Sequence, residues 1–238
     1  MSDPVAPREG GRVLTLIGAD GAGKSTQARR LCARLGARAI QIYMGSNPAE
    51  ITHALPSTRA WVWLGRALGR RAHHAGPPEP APPRPSRMLE RALQHAKSLA
   101  ALGLRVSEDL YRLLRAQSYA RRGYVAILDR HPYADYFARR VRATDAWIRW
   151  GDRIHGLLLE WVYPRPRGLV LLDAPAEILH ARKPEGSLDA VRARRQEYLD
   201  LARSLPTGIL TVVDVSRPEE EVLADLVRIA RGAGPLER

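Results

Sequence analysis

Residues 12–27 read RVLTLIGADGAGKSTQ, and this stretch decides the fold. Its first part, 12–17, is a short apolar run ending at Gly18, the pattern of a buried strand. From Lys24 onward the period changes: Ala28, Leu31, Cys32 and Leu35 recur at helical spacing. Between them, Gly18-Ala19-Asp20-Gly21-Ala22-Gly23-Lys24-Ser25 fits G-x-x-x-x-G-K-[ST], the Walker A pattern, without a mismatch. Such a turn makes consecutive backbone N–H groups converge on one point, and the helix behind it adds the positive end of its dipole. The spacing predicts that Gly18, Asp20, Gly21, Ala22, Gly23, Lys24, Ser25 and Thr26 form the ATP-binding loop, whose backbone cradles the phosphates. Lys24 would reach the terminal phosphates and Ser25 would place its hydroxyl on Mg2+. The plainer alternative, a glycine turn that merely joins strand to helix, does not account for an eight-residue motif matched at all four specified positions in this setting.

Working outward, further apolar runs stand at 39–43, 124–128 (YVAIL), 169–172 (LVLL) and 209–213 (ILTVV). Helical patterns separate them, at 145–162, 176–182, 188–205 and 218–230, with another before 124 that carries Leu110, Leu113, Leu114 and Ala120. Continuous apolar strands alternating with helices mean a parallel sheet covered on both faces, an open doubly wound α/β fold. Ligands of such sheets lie beyond the carboxyl ends of the strands. The polar residues there are the glycine turn, Asp129 with Arg130, Asp173 and Asp214.

One region breaks the alternation. Residues 76–85 (GPPEPAPPRP) hold six prolines, which suit neither helix nor central strand and predict an extended linker. The linker divides a helical piece at 57–74 from another at 86–102, and the two make a helical insertion spanning 45–105 within a single domain of 1–238. The first piece carries Trp61, Trp63, Leu64 and Leu68 beside Arg59, Arg66, Arg70 and Arg71. It either packs on the core with its arginines snorkelling or lies on a membrane surface, and packing is the simpler reading.

The chain has 238 residues and a formal net charge of +13, yet only three of its 38 basic residues are lysines. The arginines are scattered and not interleaved with aromatics, so nucleic acid is not an expected partner; anionic small substrates account for part of the excess. The single cysteine, Cys32, excludes an intrachain disulfide and a cysteine-built zinc site, and its helical position suits a small core residue. No run approaches the length of a membrane span, and residues 1–11 lack the apolar core of a signal peptide. Together these point to the cytoplasm.

The run 17–27, with Asp two residues after the first Gly and Thr-Gln after the Ser, resembles the P-loop of the thymidylate kinase family. Residues 126–131 (AILDRH) are similar to that family's Asp-Arg-aromatic motif, and 169–175 (LVLLDAP) to its Leu-Asp-x-Pro segment. Arg182 and the arginines at 192, 194 and 195 occupy the place of its lid, 182–195. The likeness covers 12–230 apart from the insertion. It implies a P-loop kinase fold with strand order 2-3-1-4-5, ATP and Mg2+ as cofactors, and phosphoryl transfer to a nucleoside monophosphate, by default dTMP. Relatives in this branch are commonly dimers, so a homodimer is a further expectation. Carried over by position, Lys24, Asp129, Arg130, Arg182 and Arg192 are the implied catalytic residues, and Ser25 with Asp129 the magnesium ligands. Asp129 suits either a metal-holding carboxylate or an acceptor of the substrate proton, against the alternative of a strand-end cap. Arg130 would clamp an anionic group of the acceptor, and Asp20 would touch the acceptor rather than ATP. With Ala19 and Ala22 in the loop, the late cation must come from Arg182, Lys183, Arg192, Arg194 or Arg195.

The acceptor side departs from the family. Where relatives carry Arg-Glu-Pro-Gly-Gly after the second strand, this chain has residues 43–48 as YMGSNP. Where they show Ser and then Tyr-Gln after Asp-Arg, residues 132–137 read PYADYF. Another nucleotide, a sugar or a specialised metabolite therefore stands as the alternative acceptor. An ATPase or switch acting on macromolecules is a third reading, although no water-activating glutamine or glutamate stands out.

Overall fold

The computed structural model describes residues 10–45, 55, 88–140, 150–164, 166 and 168–232. The helical piece at 57–74 and the proline-rich stretch at 76–85 lie outside the described residues, so the reading of both stays with the sequence. Five strands, β1 (Arg12–Ile17), β2 (Ala39–Tyr43), β3 (Val125–Asp129), β4 (Leu169–Asp173) and β5 (Leu210–Asp214), form one parallel sheet in the order β2-β3-β1-β4-β5. Helices α1 (Lys24–Leu35), α2 (Met88–Arg121), α3 (Pro132–Arg140), α4 (Trp150–Trp161), α5 (Ala176–Arg182), α6 (Leu188–Ser204) and α7 (Glu219–Ala230) surround it. The doubly wound architecture and strand order expected of a P-loop kinase fold are thus present.

Alternation along each strand divides the core. Leu14 and Leu16 of β1 and Val170 and Leu172 of β4 pack with Leu31 of α1 and Leu226 of α7 on one face. On the other face, Ile17, Leu169 and Leu171 meet Tyr198 and Leu201 of α6, and Ala126 and Leu128 of β3 meet Val106 and Leu113 of α2. Both faces are covered, which is why the strands read as unbroken apolar runs.

Three strands extend one residue further than the apolar pattern indicates. Asp173 pairs with Asp214 across β4 and β5, and Tyr43 with Asp129 across β2 and β3. The ladder uses backbone groups whatever the side chain, so the strand-end aspartates belong to the sheet. The helical piece at 86–102 and the one before β3 also prove to be a single element: Met88–Arg121 is one helix of 34 residues. Leu102, Val106, Leu110 and Leu113 carry a single stripe onto the same core cluster, which explains why the helix is unbroken.

Helix α3 has no counterpart in the apolar periodicity. Pro132 supplies a helix-compatible φ at its first position, and the Asp135 amide donates to the His131 carbonyl at 2.9 Å. Tyr136 and Phe137 then pack against the core and meet edge to face, with ring centroids 5.3 Å apart. Cys32 is half-buried against the core, and burial pushes its thiol up to about 11, so it is unreactive.

Leu16 is wholly buried in the central strand. Leu16→Ala is expected to cost about 3 kcal/mol, seen as a lower urea midpoint at unchanged slope. A loss under about 1 kcal/mol would contradict the central place given to β1.

Candidate functional site

The order of the strands reverses at β1, which pairs with β3 on one side and β4 on the other. A crevice opens at such a switch point beyond the carboxyl ends of the strands, and the loop after β1 enters it. Gly21 (φ 85°) lies directly against α5: a Cβ there would sit 2.1 Å from the Leu179 carbonyl oxygen. Gly23 takes the left-handed conformation (φ 77°, ψ 18°) as the residue that starts α1. Neither position accepts a side chain without strain, so the turn is built from backbone.

A cavity of about 350 Å³ opens over this turn, lined by residues 20–27, Arg130, Arg182, Lys183 and, from the far side, Val215, Arg217 and Glu219. Of the expected loop residues only Gly18 does not line it; instead the Gly18 carbonyl accepts from Lys24. Lys24 is 6% exposed, and its Nζ donates to the carbonyls of Gly18 at 2.9 Å and Ala19 at 2.8 Å. Burial lowers its pKa to about 8, Arg130 adds to that, and the carboxylates of Asp20, Asp129 and Asp135 oppose it.

Asp129 ends β3 with no exposed surface, and neither carboxylate oxygen has a hydrogen-bond partner. Burial raises its pKa, against the lowering influence of Ser25, Lys24 and Arg130. Buried carboxylates are ordinarily paired or bound to a cation. An unpaired one beside the Ser25 hydroxyl offers hard oxygen donors of the kind magnesium takes, so these residues fit the ion the motif implies. The next residue, Arg130, is the only non-glycine with positive φ (78°) among the described residues. Its amide donates to the Leu16 carbonyl at 3.1 Å, and its Nη2 donates to Asp20 Oδ1 at 3.0 Å. A bulky residue in that conformation costs on the order of 1 kcal/mol or more, and the turn aims the guanidinium at the loop. Burial works against its charge, which Asp135 and Asp20 more than offset, so the group stays cationic.

The lid arginines separate. Arg182 ends α5 and lines the cavity, with Lys183 beside it. Arg192 does not line it: its Nη2 donates to Glu177 at 2.8 Å and its Nη1 to Asp189 at 3.1 Å, with the side chain 52% exposed. Arg195 places its fork on Asp173 at 2.8 and 2.7 Å, and Arg194 donates to Glu197, Tyr198 and Asp135. The reason is helical: α6 starts at Leu188, capped by the Ser187 hydroxyl accepting from the Ala190 amide, and its turns point the three arginines different ways.

Two residues that sequence reasoning did not single out belong to the site. Arg217 follows β5 and is held by the Asp214 carbonyl and by Asp225; Glu219 opens α7 and pairs with Arg30 of α1. Their signal was position, since 215–219 follow a strand end, but no motif distinguishes them from an ordinary connection.

The arrangement joins a backbone anion cradle, a buried ammonium, an unpaired carboxylate and an aimed guanidinium around one cavity. That set suits binding a polyphosphate with a cation and presenting a second molecule to it. No family model matches the chain. Among solved structures it is similar to thymidylate kinase from Candida albicans, whose structure is described as revealing the origin of broad substrate specificity and a novel structural element. The superposition has a TM-score of 0.58 over 92% of this chain and 90% of that one, at 18% identity, and shows a shared fold.

Proposed function

We propose that this chain is an ATP- and magnesium-dependent kinase that moves the terminal phosphoryl group to a small-molecule acceptor seated beside Asp20 and Arg130. The observation that carries this reading is Asp129, buried and unpaired beside Ser25 in the turn that also holds Lys24. A structural strand-end aspartate finds partners, as Asp173 does on Arg195.

Lys24 would move its donors from the loop carbonyls to phosphate oxygens, where an ammonium offsets developing charge. The loop amides would bind and orient the phosphate chain, and Ser25 with Asp129 would hold magnesium. Bound there, the ion supplies Lewis-acid neutralisation of the phosphate oxygens. Arg182 and Lys183, already at the cavity, are the lid cations to approach the transferring group; Arg192 would have to leave Glu177 and Asp189 to join them. Closure over the cavity would exclude water.

The family resemblance supports a nucleoside monophosphate as acceptor, dTMP with ATP giving dTDP and ADP. A second reading keeps the chemistry and changes the acceptor, and a specific contact favours it. Arg112, nearly buried in α2, spends its guanidinium on the carbonyls of Tyr43 and Gly45 and on Glu108. Glu108 also accepts from the Leu55 amide. Both ends of the segment 45–55 are therefore tied down by one helical ion pair, where the family carries its acceptor-holding Arg-Glu-Pro-Gly-Gly.

Lys24→Met is expected to lower acceptor-dependent ADP formation by about 10²–10³-fold with the fold retained by circular dichroism. Undiminished turnover would remove Lys24 from the mechanism. With ATP, magnesium and a panel of phosphorylated and unphosphorylated acceptors, ADP should form only when the right acceptor is present. ADP release that ignores every acceptor would identify an ATPase instead.

A further inference from the structure

Building on the kinase reading, we infer that the acceptor is a hydroxyl-bearing molecule without a phosphate or other anionic group, a neutral or amine-bearing polyol rather than a nucleoside monophosphate. The inference comes from how the charges around Arg130 are already spent.

Arg130 is the guanidinium aimed at the acceptor side of the cavity, and it is bonded to Asp20 at 3.0 Å. A second carboxylate, Asp135, faces it from the first turn of α3. Asp135 is itself anchored: its Oδ1 accepts from the Tyr198 hydroxyl at 2.5 Å and from Arg194 Nη2 at 3.5 Å. Arg194 brings no free charge, because it also donates to Glu197 at 2.7 Å. Around the acceptor position, Asp20, Asp135 and Glu197 thus stand against Arg130 and Arg194, with Asp129 assigned to magnesium and Arg182 and Lys183 to the transferring phosphoryl group. Arg112 is committed to backbone carbonyls and Glu108. Lys24, the remaining buried cation, belongs to the phosphates of ATP.

A phosphomonoester dianion entering here would have to take Arg130 from Asp20 and then remain beside Asp135. Repulsion between like charges at such range is large in a partly desolvated cleft. A polyol meets the opposite situation: carboxylates accept from hydroxyl or ammonium donors, and Asp20 is half exposed. A hydroxyl acceptor also has a proton to lose. Its oxygen forms the new bond to the γ-phosphorus while the bond from that phosphorus to the β,γ-bridging oxygen breaks. The bridging oxygen leaves with the electron pair as ADP, and the hydroxyl proton passes to the Asp20 carboxylate and on to solvent. Asp20 Oδ1 is 4.0 Å from Lys24 Nζ, so one carboxylate lies beside both the donor cradle and the acceptor fork.

Inorganic phosphate is the probe. The protein is first saturated with adenylyl imidodiphosphate and magnesium, so that the ATP cradle is filled, and phosphate is then titrated calorimetrically into parent and Asp135→Asn proteins. Asparagine keeps an oxygen for the Tyr198 hydroxyl and removes only the charge, so the fold is retained. The parent should bind phosphate weakly, and the variant about tenfold or more tighter. Tight binding by the parent, or no gain in the variant, overturns the inference. So does turnover of thymidine monophosphate in preference to thymidine, which leaves the kinase reading standing. Failure of the parent to bind the ATP analogue would instead remove the kinase reading and this inference with it.

Discussion

Strand β1 positions the glycine turn, Asp129 and Arg130, the centre of the candidate site. It hydrogen-bonds to β3 along one edge and β4 along the other, and its register places Leu16 opposite Asp129 and Ile17 opposite Leu171. The Leu16 carbonyl accepts from the Arg130 amide, so the turn that orients the guanidinium is an extension of the sheet itself. The glycine turn leaves the same strand and is wedged against the Leu179 carbonyl of α5. Donor cradle, carboxylate and fork therefore share a single rigid origin. Their relative placement is a property of parallel pairing rather than of any loop, and rigid elements hold a site more accurately than loops do.

That arrangement stores several unfavourable terms in one place. Lys24 is buried with its pKa pulled down to about 8, Asp129 is buried without a partner, and Arg130 sits in a backbone conformation that bulky residues avoid. Each opposes folding, and each is tolerated because apolar side chains enclose the sheet on both faces. The contrast among the strand-end aspartates is instructive. Asp173 is gripped by Arg195, and Asp214 accepts from the Ser216 amide and hydroxyl, whereas Asp129 has no charged partner on it and only the Ser25 hydroxyl nearby. Three residues with the same chemistry and equivalent strand positions thus differ in burial and in whether a partner has been supplied.

That difference sets the limit of what was legible in the residues alone. The strands and the cradle could be read because their information is local: apolar runs for β1 to β5, and glycines with one Lys and one Ser for the turn. The polar residues at the strand ends were visible as candidates, but not the partners they find: Asp173 is gripped by Arg195 of α6, whereas Asp214 is held by Ser216 in its own loop. The lid arginines show the same effect. Arg182 and Arg192 looked equivalent by spacing, yet the start of α6 at Leu188 sends Arg192 to Glu177 while Arg182 stays at the cavity. Helix α3 was missed because Pro132, Tyr133 and Phe137 are poor helix formers, and packing of Tyr136 and Phe137 overrides that preference. Arg217 and Glu219 carry no motif and become visible only when β5 is placed beside β4.

The two halves of the site differ in legibility for a physical reason. In the proposed cradle phosphate would be bound by main-chain amides, and only a few residue types permit the required turn, so its sequence is tightly constrained. In the proposed site the acceptor side is built from side chains, and many combinations of those can surround one guanidinium. Charge then becomes the informative quantity in place of motif. Asp20 and Asp135 beside Arg130, with Arg194 shared between Asp135 and Glu197, describe a cleft whose electrostatic demand is already met from within the protein. A cleft in that state gains nothing from a further anion and has free lone pairs for a donor. The proposed acceptor chemistry is thus read from the balance of ion pairs around Arg130, which only the folded chain assembles.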